Sequence, residues 1–374
     1  MPHFDIIRAA QPGESFRVKS VMGTYDLQTN KTTEHFVGDI DLPDEWNVGL
    51  IVGRSGTGKT TIARELFGDC IIDGYEYTHE SILDDMPKDA SVAEITAALS
   101  SVGFASPPSW LKSYAMLSNG EKMRCDLARA MLEKRDVFCF DEFTSVVDRT
   151  VAKVGSFAIQ KAIRRGGQKF IAVTCHADVE EWLMPDWVFN TDTMTFSVKN
   201  LAEQKKNRPG IRLDIFETKL KGQYWEVFRK YHYLSHNFNV ASRVWICYAD
   251  GNLAGFASAM QRPSTVKHLY GFHRVVVFPD YQGIGIGKKL MEVVAQILTD
   301  EGKKVSLVTS NAALIYGMKK SARFKLVRVG RIIASKTARY SKEFNNKASI
   351  ERITATFNYI PQTDKELVRD GGRS

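Results

Sequence analysis

The chain has 374 residues, of which 44% are hydrophobic and 25% are charged. This length is enough for roughly two or three domains, each with its own core, and the composition is that of ordinary globular protein. No apolar run approaches the ~18 residues that a membrane helix requires, and residues 1–20 lack the basic start and apolar centre of a secretory signal. These features exclude membrane-spanning and secreted proteins and predict a cytoplasmic protein with no membrane partner.

The cysteines are odd in number and show no spacing typical of a metal site; they are Cys70, Cys125, Cys139, Cys175 and Cys247. This usage predicts reduced, mostly buried thiols.

Charge is unevenly distributed along the chain. Residues 1–205 hold 22 Lys and Arg against 30 Asp and Glu, a net charge of −8, whereas residues 206–374 hold 29 against 13, a net charge of +16. A strongly basic second half indicates that this half meets a polyanion. The alternatives are a solvated basic surface, or one that attracts only a phosphorylated cofactor.

The first predicted elements are two short strands, at Ser15–Tyr25 and Thr33–Leu42. A third strand, Val48–Val52, leads into Gly53–Thr61, which reads GxxxxGK[ST] and precedes a predicted helix at Thr61–Phe67. Strand, glycine loop and helix start are the contexts of a phosphate-binding loop.

Glycines allow successive backbone N–H groups to point into one concavity, where they and the positive helix end hold phosphate oxygens. We expect Lys59 to reach the β- and γ-phosphates of ATP and the Thr60 hydroxyl to bind Mg²⁺. Tyr25 is a candidate for stacking on the adenine. The predicted ATP ligands in this loop are Gly53, Ser55, Gly56, Gly58, Lys59, Thr60 and Thr61.

The stretch Leu117–Glu121 reads Leu-Ser-Asn-Gly-Glu before a predicted helix. Taken alone it is an ordinary helix cap, because a serine at this position satisfies free N–H groups. Behind a phosphate loop it resembles the LSGGQ-like signature of the ABC ATPases, with Asn119 and Glu121 as departures at its third and fifth positions. The resemblance implies that Ser118 and Gly120 contact ATP.

Three further motifs follow in the order of that family. Asp141 and Glu142 end the apolar stretch 137–140, Ser145–Asp148 matches the D-loop, and His176 follows Val-Thr-Cys. By resemblance, Asp141 holds Mg²⁺, Glu142 polarises the attacking water and His176 senses the γ-phosphate.

Two further features define the kind of ABC ATPase. No glutamine stands between Thr61 and Leu117, where the family places one that touches Mg²⁺, and this segment is short. Without a membrane span, the chain resembles the soluble ABC ATPases that act on nucleic acids or ribosomes rather than transporters. One set of motifs per chain implies an ATP-dependent homodimer, in which each signature faces the partner's nucleotide.

A polar segment, 205–211, is the predicted linker between an ATPase domain, 1–204, and a second domain, 212–362. In the second domain, strands are predicted at Val244–Asp250 and Leu253–Met260 around an Asp-Gly-Asn hairpin turn. Further strands are predicted at Phe272–Phe278, Val305–Ser310 and Ile353–Ile360, with a helix at Lys288–Asp300. A basic insertion, 331–352, precedes the last strand, and 363–374 is a predicted flexible tail.

Between the strand at Phe272–Phe278 and the helix lies Gln282-Gly283-Ile-Gly285-Ile-Gly287-Lys288. This stretch resembles the [QR]xxGxG/A cofactor loop of the GNAT acyltransferases, which binds the pyrophosphate of coenzyme A through backbone N–H groups at a helix start. The resemblance implies an acyl-CoA donor, most simply acetyl-CoA. It assigns coenzyme binding to Val277, Gln282, Gly283, Gly285, Gly287, Lys288 and Asn311.

Acyl transfer also needs an acid for the departing thiolate and a base for the amine. By resemblance Tyr316 is the acid, although a core position beside Phe324 is the alternative. No carboxylate stands out as the base, and the candidates for this role are His273 and either His232 or His236. The predicted substrate residues are His232, Tyr233, His236 and His273, of which the first three lie in a stretch faintly similar to the Mom-like phage enzymes that modify DNA bases. The alternative for that stretch is an amphipathic helix with its aromatic residues in the core.

The predicted fold is therefore a P-loop ABC ATPase domain of the α/β class, followed by an α+β GNAT domain with a mixed central sheet. The predicted function is an ATP-controlled acyltransferase that modifies nucleic acid, with a DNA base favoured over RNA. The alternatives are an acetyltransferase for tRNA or a protein lysine, and a non-catalytic ABC clamp or sensor that binds nucleic acid or CoA.

Overall fold

The computed structural model describes residues 3–10, 13–27, 32–207, 210–232, 237–331 and 353–361. The strands are β1 His3–Ala10, β2 Thr32–Asp39, β3 Val48–Val52, β4 Ile71–Ile72, β5 Val137–Phe140, β6 Lys169–Thr174, β7 Trp187–Asn190, β8 Thr195–Val198, β9 Leu213–Thr218, β10 Arg243–Ala249, β11 Asn252–Gln261, β12 Leu269–Val277, β13 Lys304–Thr309, β14 Phe324–Arg331 and β15 Ile353–Tyr359. The α-helices are α1 Phe16–Thr24, α2 Lys59–Phe67, α3 Val92–Ser101, α4 Pro107–Trp110, α5 Asn119–Leu132, α6 Arg149–Gly166, α7 Val179–Leu183, α8 Leu201–Asn207, α9 Lys221–Phe228, α10 Ile286–Asp300 and α11 Ala312–Lys319.

The chain divides into two compact units. The first holds Met1–Tyr77 and Cys125–Pro209, and the second holds Thr78–Arg124 and Gly210–Ser374. The division at Pro209 lies inside the predicted linker, 205–211, whose first three residues belong to α8. The inclusion of 78–124 in the second unit differs from the domain bounds expected from the sequence, which place this segment in the ATPase domain.

The first unit contains a six-stranded sheet in the order β4-β5-β6-β3-β7-β8, parallel except for the edge strand β8. β1 and β2 form a separate antiparallel pair. The phosphate-loop strand β3 is buried at every residue, which explains its continuous apolar sequence. The core of the first unit combines aromatic side chains from distant parts of the chain, among them Phe4, Phe36, Trp187 and Phe189.

The predicted strand at Ser15–Tyr25 is wrong: this segment forms helix α1, with the Ser15 hydroxyl accepting a hydrogen bond from the Val18 N–H. None of its residues is buried. Because no core face imposes a period on the apolar residues, the pattern could not distinguish helix from strand.

The second unit contains a seven-stranded sheet in the order β14-β15-β13-β12-β11-β10-β9. All neighbouring pairs are antiparallel except β12 and β13, so the sheet is mixed, as the sequence predicts. The predicted hairpin is confirmed, with Asp250 and Gly251 both at positive φ in the two-residue turn between β10 and β11.

Each face of this sheet carries its own core. On one face, α10 packs through side chains such as Leu290 and Val294 against Trp245 and Phe357. A second cluster of buried aromatic residues includes Trp225 and Phe228 of α9, together with Phe256 and Val276. Strand β12 supplies residues to both clusters, and it leads directly into the predicted coenzyme loop.

Strands β12 and β13 pair only briefly. Their parallel pairing joins Leu269–Gly271 to Lys304–Ser306. On its other edge, β13 pairs with β15 from Ser306 to Thr309. β12 nevertheless continues to Val277. The sheet therefore opens between these two strands on the side from which the coenzyme loop leaves.

Strand β14 was not predicted, and it pairs with β15 along its length. Beyond residue 331, the predicted insertion 331–352 lies outside the described residues, as does the predicted tail 363–374. No helix among the described residues has both the length and the apolar character that a membrane crossing needs. All five cysteines are free thiols, and only Cys175 is exposed.

Candidate functional sites

The phosphate loop joins the central strand β3 to helix α2. Gly56 and Gly58 have φ of +83° and +84°, a left-handed conformation that glycine adopts without a Cβ penalty. Lys59 begins the helix and is only 8% exposed. Its ammonium donates a 2.8 Å hydrogen bond to the Arg54 carbonyl across the loop.

The loop is anchored by residues from a turn more than 130 positions later in the chain. The Thr57 and Thr191 hydroxyls are 2.6 Å apart, and a Cβ on Gly53 would lie 2.1 Å from the Thr191 hydroxyl. The Arg54 backbone N–H and guanidinium both donate to Asp192, and these bonds hold the pKa of that carboxyl below its usual range. No motif marks Thr191 or Asp192, so sequence reasoning missed both.

The aromatic residue that contacts the phosphate loop is Phe36 of β2. A Cβ on Gly58 would lie 2.5 Å from the Phe36 ring, which is itself buried. Tyr25, the candidate suggested by the sequence, caps the end of α1 and is 72% exposed.

The two predicted acidic residues follow β5, close to the P-loop strand in the sheet order. The Asp141 carboxylate accepts a 2.9 Å hydrogen bond from the Glu142 backbone N–H. Glu142 is exposed at a φ of +54°, and the following Phe143 donates its N–H to Val173 of β6. This bond fixes the acidic turn to the neighbouring strand.

His176 follows strand β6. In the sheet, β6 lies between β5 and β3 and pairs with both. Because all three strands are parallel, the loops after them lie at one edge of the sheet. The structure thus brings the phosphate loop, the Asp141–Glu142 turn and His176 to the same edge. The Nδ1 of His176 is buried and has no hydrogen-bond partner among the described residues.

The signature serine caps helix α5. The Ser118 hydroxyl accepts from the Glu121 N–H at 3.3 Å, and the Glu121 carboxylate accepts from the Ser118 N–H at 3.0 Å. This reciprocal pair is a capping box, and it explains the glutamate at the fifth signature position. Ser118 and Asn119 are exposed, and Gly120 is buried.

A metal at this edge would need ligands beyond the protein. Among the described residues, no group of three or more His, Cys, Asp and Glu side chains is placed to hold an ion. The predicted pair, Thr60 and Asp141, fits Mg²⁺ that takes its remaining oxygens from phosphate and water. When bound, such an ion would offset the negative charge of the phosphates.

The coenzyme loop repeats the geometry of the first loop. Gly283 and Gly285 have φ of +87° and +98°, and Gly285 is the N-cap of α10. A Cβ on Gly285 would meet nothing within 4 Å, so the loop backbone borders open space at the helix start. A Cβ on Gly287 would lie 3.3 Å from Val277, and the glycine lets α10 approach β12 closely. This backbone fits a pyrophosphate.

Gln282 holds the loop from inside the protein. Its side-chain oxygen accepts a 2.9 Å hydrogen bond from the Ala105 N–H, and its amide nitrogen donates to the Val277 carbonyl at 2.9 Å. The side chain is therefore engaged in supporting the turn. The prediction that Gln282 binds the coenzyme therefore concerns only the backbone of this residue.

The other predicted coenzyme residues have structural partners as well. The Lys288 ammonium lies 3.7 Å from the Glu292 carboxylate one helical turn later. The Asn311 side chain caps α11 by accepting a 2.9 Å hydrogen bond from the Leu314 N–H. It stands at the end of β13, opposite the opening beside β12.

Tyr316 is not a core residue. It lies on α11 with 61% of its surface exposed, and its hydroxyl contacts the Lys320 ammonium, which also stacks over the ring at 4.2 Å. The interpretation as a core aromatic residue beside Phe324 is therefore wrong, since Phe324 is buried in the sheet core. The Tyr316 hydroxyl therefore lies at the protein surface, where it accepts from the Lys320 ammonium.

His273 lies at an irregularity in β12. Phe272 pairs with Ala259 and Arg274 with Ser258, so His273 is an extra residue opposite no partner on β11. A bulge of this kind redirects a side chain. The His273 ring lies 6.3 Å from that of Phe238, and Arg274 donates to the Asn237 carbonyl, so consecutive residues contact the same segment.

The environment keeps His273 neutral. Burial, followed by the charges of Arg274 and Arg262, lowers its pKa from 6.5 to about 4. Its buried Nδ1 has no hydrogen-bond partner among the described residues. A neutral imidazole with an unused nitrogen can accept a proton from an amine.

His232 is a core residue in the structure. It is 6% exposed and its ring meets Trp225 edge-on at 5.7 Å between centroids. This placement agrees with the alternative in which the stretch packs its aromatic residues inward, although the chain forms a 3₁₀ turn at Arg229–Tyr231. Tyr233 and His236 lie outside the described residues.

Part of the second unit matches a known family. Residues 209–315 match the model of the acetyltransferase (GNAT) family, a span that includes the His273 bulge and the coenzyme loop. The second unit thus contains a GNAT domain, and the first is an ABC ATPase-like P-loop domain by its motifs and sheet order.

Relatives match only parts of the chain. The [NU+] prion formation protein 1 of Saccharomyces cerevisiae is 34% identical over 119 residues, 26% of this chain and 10% of that protein. The ABC multidrug transporter E of Aspergillus fumigatus is 25% identical over 164 residues, 44% of this chain and 12% of that protein. The chain spans about a tenth of the length of the curated relatives it matches.

Solved structures align with less than half of the chain. The IAA acetyltransferase from Bacillus cereus aligns with 40% of this chain and 100% of its own, at 15% identity and a TM-score of 0.31. A bacterial Atm1-family ABC exporter with ATP bound aligns with 43% of this chain and 37% of its own, at 19% identity and a TM-score of 0.34.

Proposed function

We propose that the protein is an ATP-controlled acyltransferase that transfers an acyl group from acyl-CoA to an amine of nucleic acid, with a DNA base as the acceptor. The observation that carries the proposal is the presence of two phosphate-binding loops in one chain. Gly53–Thr61 serves a nucleotide at the edge of a parallel sheet, and Gln282–Lys288 serves a coenzyme beside an opened strand pair.

The second unit offers groups for acyl transfer. Acyl-CoA, when bound, supplies the acyl group as a thioester. His273 is neutral at pH 7 and its buried Nδ1 has no hydrogen-bond partner among the described residues, and we assign to it the proton that an attacking amine must lose. The exposed Tyr316 hydroxyl suits the donation of a proton to the departing thiolate.

A polyanionic acceptor is supported by charge. Residues 206–374 carry a net charge of +16, and Arg262 and Arg274 both act on His273. Such a surface attracts the phosphate backbone in a salt-dependent manner. An extruded base would then need aromatic groups on which to stack.

Control by ATP follows from the ABC resemblance. Two copies would enclose two nucleotides, each with Ser118 of one chain facing the nucleotide of the other. Closing of this homodimer would clamp a duplex and present a base to the acyltransferase unit. The acidic edge with Glu142 and His176 then resets the clamp by hydrolysis.

The test uses the full chain with radiolabelled acetyl-CoA and three competing acceptors: duplex DNA, tRNA and a lysine peptide. We expect label in DNA that increases with ATP and Mg²⁺, and ATP hydrolysis that DNA stimulates. Label only in tRNA or peptide would assign the alternative acceptor. DNA-stimulated hydrolysis with label in no acceptor would identify a non-catalytic clamp.

Two variants serve as controls for the origin of the label. Gly285→Glu places a carboxylate in the pyrophosphate cradle and should abolish transfer. Gly302→Glu introduces the same residue at a positive φ of 78° in open space outside the loop, and should retain transfer. Lys59→Ala should remove the ATP dependence alone.

A further inference from the structure

The segment that carries the ABC signature packs directly on the coenzyme loop. Both belong to the second unit, although about 160 residues separate them in the sequence. The contacts come from two places in the segment 78–124: the turn after α3, and Arg124 on α5.

The turn after α3 is rigid. Gly103 has a φ of +88°, the Gly103 N–H donates to Ser100 at 3.2 Å, and the Phe104 N–H donates to Leu99 at 2.9 Å. This pair of bonds is a Schellman motif. The Trp110 indole donates to the Phe104 carbonyl at 2.9 Å and holds the turn from its other side.

The turn touches the coenzyme loop with its backbone. A Cβ on Gly103 would lie 2.7 Å from the Gln282 carbonyl oxygen, so only glycine fits without moving the loop. The Ala105 N–H donates to the Gln282 side chain, which in turn donates to Val277 at the end of β12.

Arg124 makes the second connection. It is 1% exposed, and its guanidinium donates to the carbonyls of Pro279 and Asp280 at 3.1 and 3.4 Å. These residues lie in the 3₁₀ turn Pro279–Tyr281, directly before the coenzyme loop. Arg124 lies on helix α5, which Ser118 caps. Less than two helical turns separate these two residues, so a nucleotide at Ser118 and a coenzyme at the loop would contact opposite ends of the same short stretch of helix.

From these contacts we infer that Arg124 and the Gly103–Ala105 turn are positioning residues for the coenzyme loop, and that nucleotide engaged by Ser118–Gly120 raises the affinity for acyl-CoA. The inference rests on the proposed function. Fixing the start of α5 fixes the carbonyls of Pro279 and Asp280, so less freedom is lost when coenzyme binds. Reciprocity requires that acyl-CoA raise the affinity for nucleotide by the same factor.

The experiment measures acetyl-CoA binding to the full chain by calorimetry, with and without ATPγS and Mg²⁺. We expect ATPγS to tighten acetyl-CoA binding about tenfold, within the usual range for coupled sites. The ratio of the acetyl-CoA affinities with and without ATPγS should fall toward one in Lys59→Ala. This variant cannot hold the nucleotide but retains the coenzyme loop.

Two variants test the route. Arg124→Lys keeps the charge but loses the two-donor geometry, and should abolish the ATPγS effect. Arg129→Lys is the control on the same helix, since that guanidinium bonds to the Glu76 carbonyl in the first unit. Gly103→Ala should weaken acetyl-CoA binding about tenfold, the equivalent of about 1.4 kcal/mol. Gly302→Ala, at a similar φ in open space, should leave it unchanged.

The outcomes separate this inference from the proposed function. Acetyl-CoA binding that is identical with and without ATPγS would overturn the inference and leave acyl transfer intact. An ATPγS effect that persists in Arg124→Lys, or acetyl-CoA binding that is unchanged in Gly103→Ala, would overturn the assigned route. Absence of acetyl-CoA binding by the wild-type chain under any condition would overturn both proposals.

Discussion

The two glycine loops, Gly53–Thr61 and Gln282–Lys288, have the same local design and different supports. Each follows a strand, bends at glycines with positive φ and begins a helix. The nucleotide loop leaves a strand paired on both sides and holds a buried lysine. The coenzyme loop leaves a strand that has lost one neighbour, and its lysine, Lys288, is 40% exposed.

This difference in strand pairing and lysine burial matches the difference in charge between the ligands predicted for the two loops. A triphosphate needs a fixed cation and a metal as well as backbone N–H groups, whereas a pyrophosphate can be held by the backbone of the loop. The coenzyme loop consequently depends on support from a distant segment of its own unit, which supplies Gly103, Ala105 and Arg124. The nucleotide loop is supported by Thr191 and Asp192 within its own unit.

The largest expected effect concerns chemistry at the nucleotide loop. Glu142→Gln should lower ATP hydrolysis about 10³-fold with little change in ATP binding, because it removes the group assigned to polarise water. Parallel ATPase and nucleotide-binding measurements test this. Glu181→Gln, an exposed carboxylate in the same unit, should behave as wild type. Full ATPase activity in Glu142→Gln would contradict the assignment.

In the acyltransferase unit, the largest expected loss of activity comes from replacing the proposed acid, Tyr316. Tyr316→Phe should lower kcat for acyl transfer about 10²-fold and leave the acetyl-CoA Kd unchanged, because only proton donation is lost. Steady-state kinetics and calorimetry on the same preparation separate the two quantities. Tyr25→Phe, another exposed tyrosine, is the control. A change in Kd alone would assign Tyr316 to binding.

The proposed base predicts an unusual pH profile. His273→Gln should slow transfer about 10²-fold. In the wild type, the pKa of His273 is about 4, lowered by burial from 6.5, so the rate should not fall through titration of this group until the pH nears 4. A pH–rate profile measures this, and a histidine-like midpoint near 6.5 that disappears in His273→Gln would contradict it.

The same shift has a consequence for stability. Between pH 6.5 and about 4 the unfolded chain binds a proton that folded His273 does not. The contribution of this residue to the free energy of unfolding is therefore complete above pH 6.5 and decreases as the pH falls through this window. Urea unfolding of wild type and His273→Gln at both ends of the window should show the difference.

A smaller effect is expected from filling the coenzyme cradle. Gly285→Ala places a methyl group where the loop borders open space, and should weaken acetyl-CoA binding about tenfold. Gly302→Ala has a comparable backbone penalty at positive φ but lies outside the loop. Equal acetyl-CoA affinities in the two variants would show that Gly285 does not face the coenzyme.

The smallest effect is a change in stability. Ser118→Ala and Ser91→Ala each remove a capping-box serine, and each should lower the free energy of unfolding by about 1 kcal/mol. Only Ser118→Ala should also lower ATPase activity, since Ser91 is a cap without a signature. Equal ATPase activity in both variants would leave Ser118 with a structural role alone.

The sequence by itself determined what is local. The strands β3, β10, β11 and β12, the helices α2 and α10, and both glycine loops follow from short patterns of apolar residues, glycines and caps. These patterns are readable because a strand–loop–helix junction imposes its backbone angles on consecutive residues. Helix α1 was misread because it buries no side chain, so its apolar residues carry no reliable period.

Only the tertiary structure decided what holds the loops. Phe36, Thr191 and Asp192 support the nucleotide loop, and Gly103 and Arg124 support the coenzyme loop, yet none of them belongs to a motif. Their contacts join residues that are distant in sequence, and such pairing depends on the folded arrangement rather than on local propensity. For the same reason, the membership of 78–124 in the acyltransferase unit could not be read from the motif order, which places it in the ATPase.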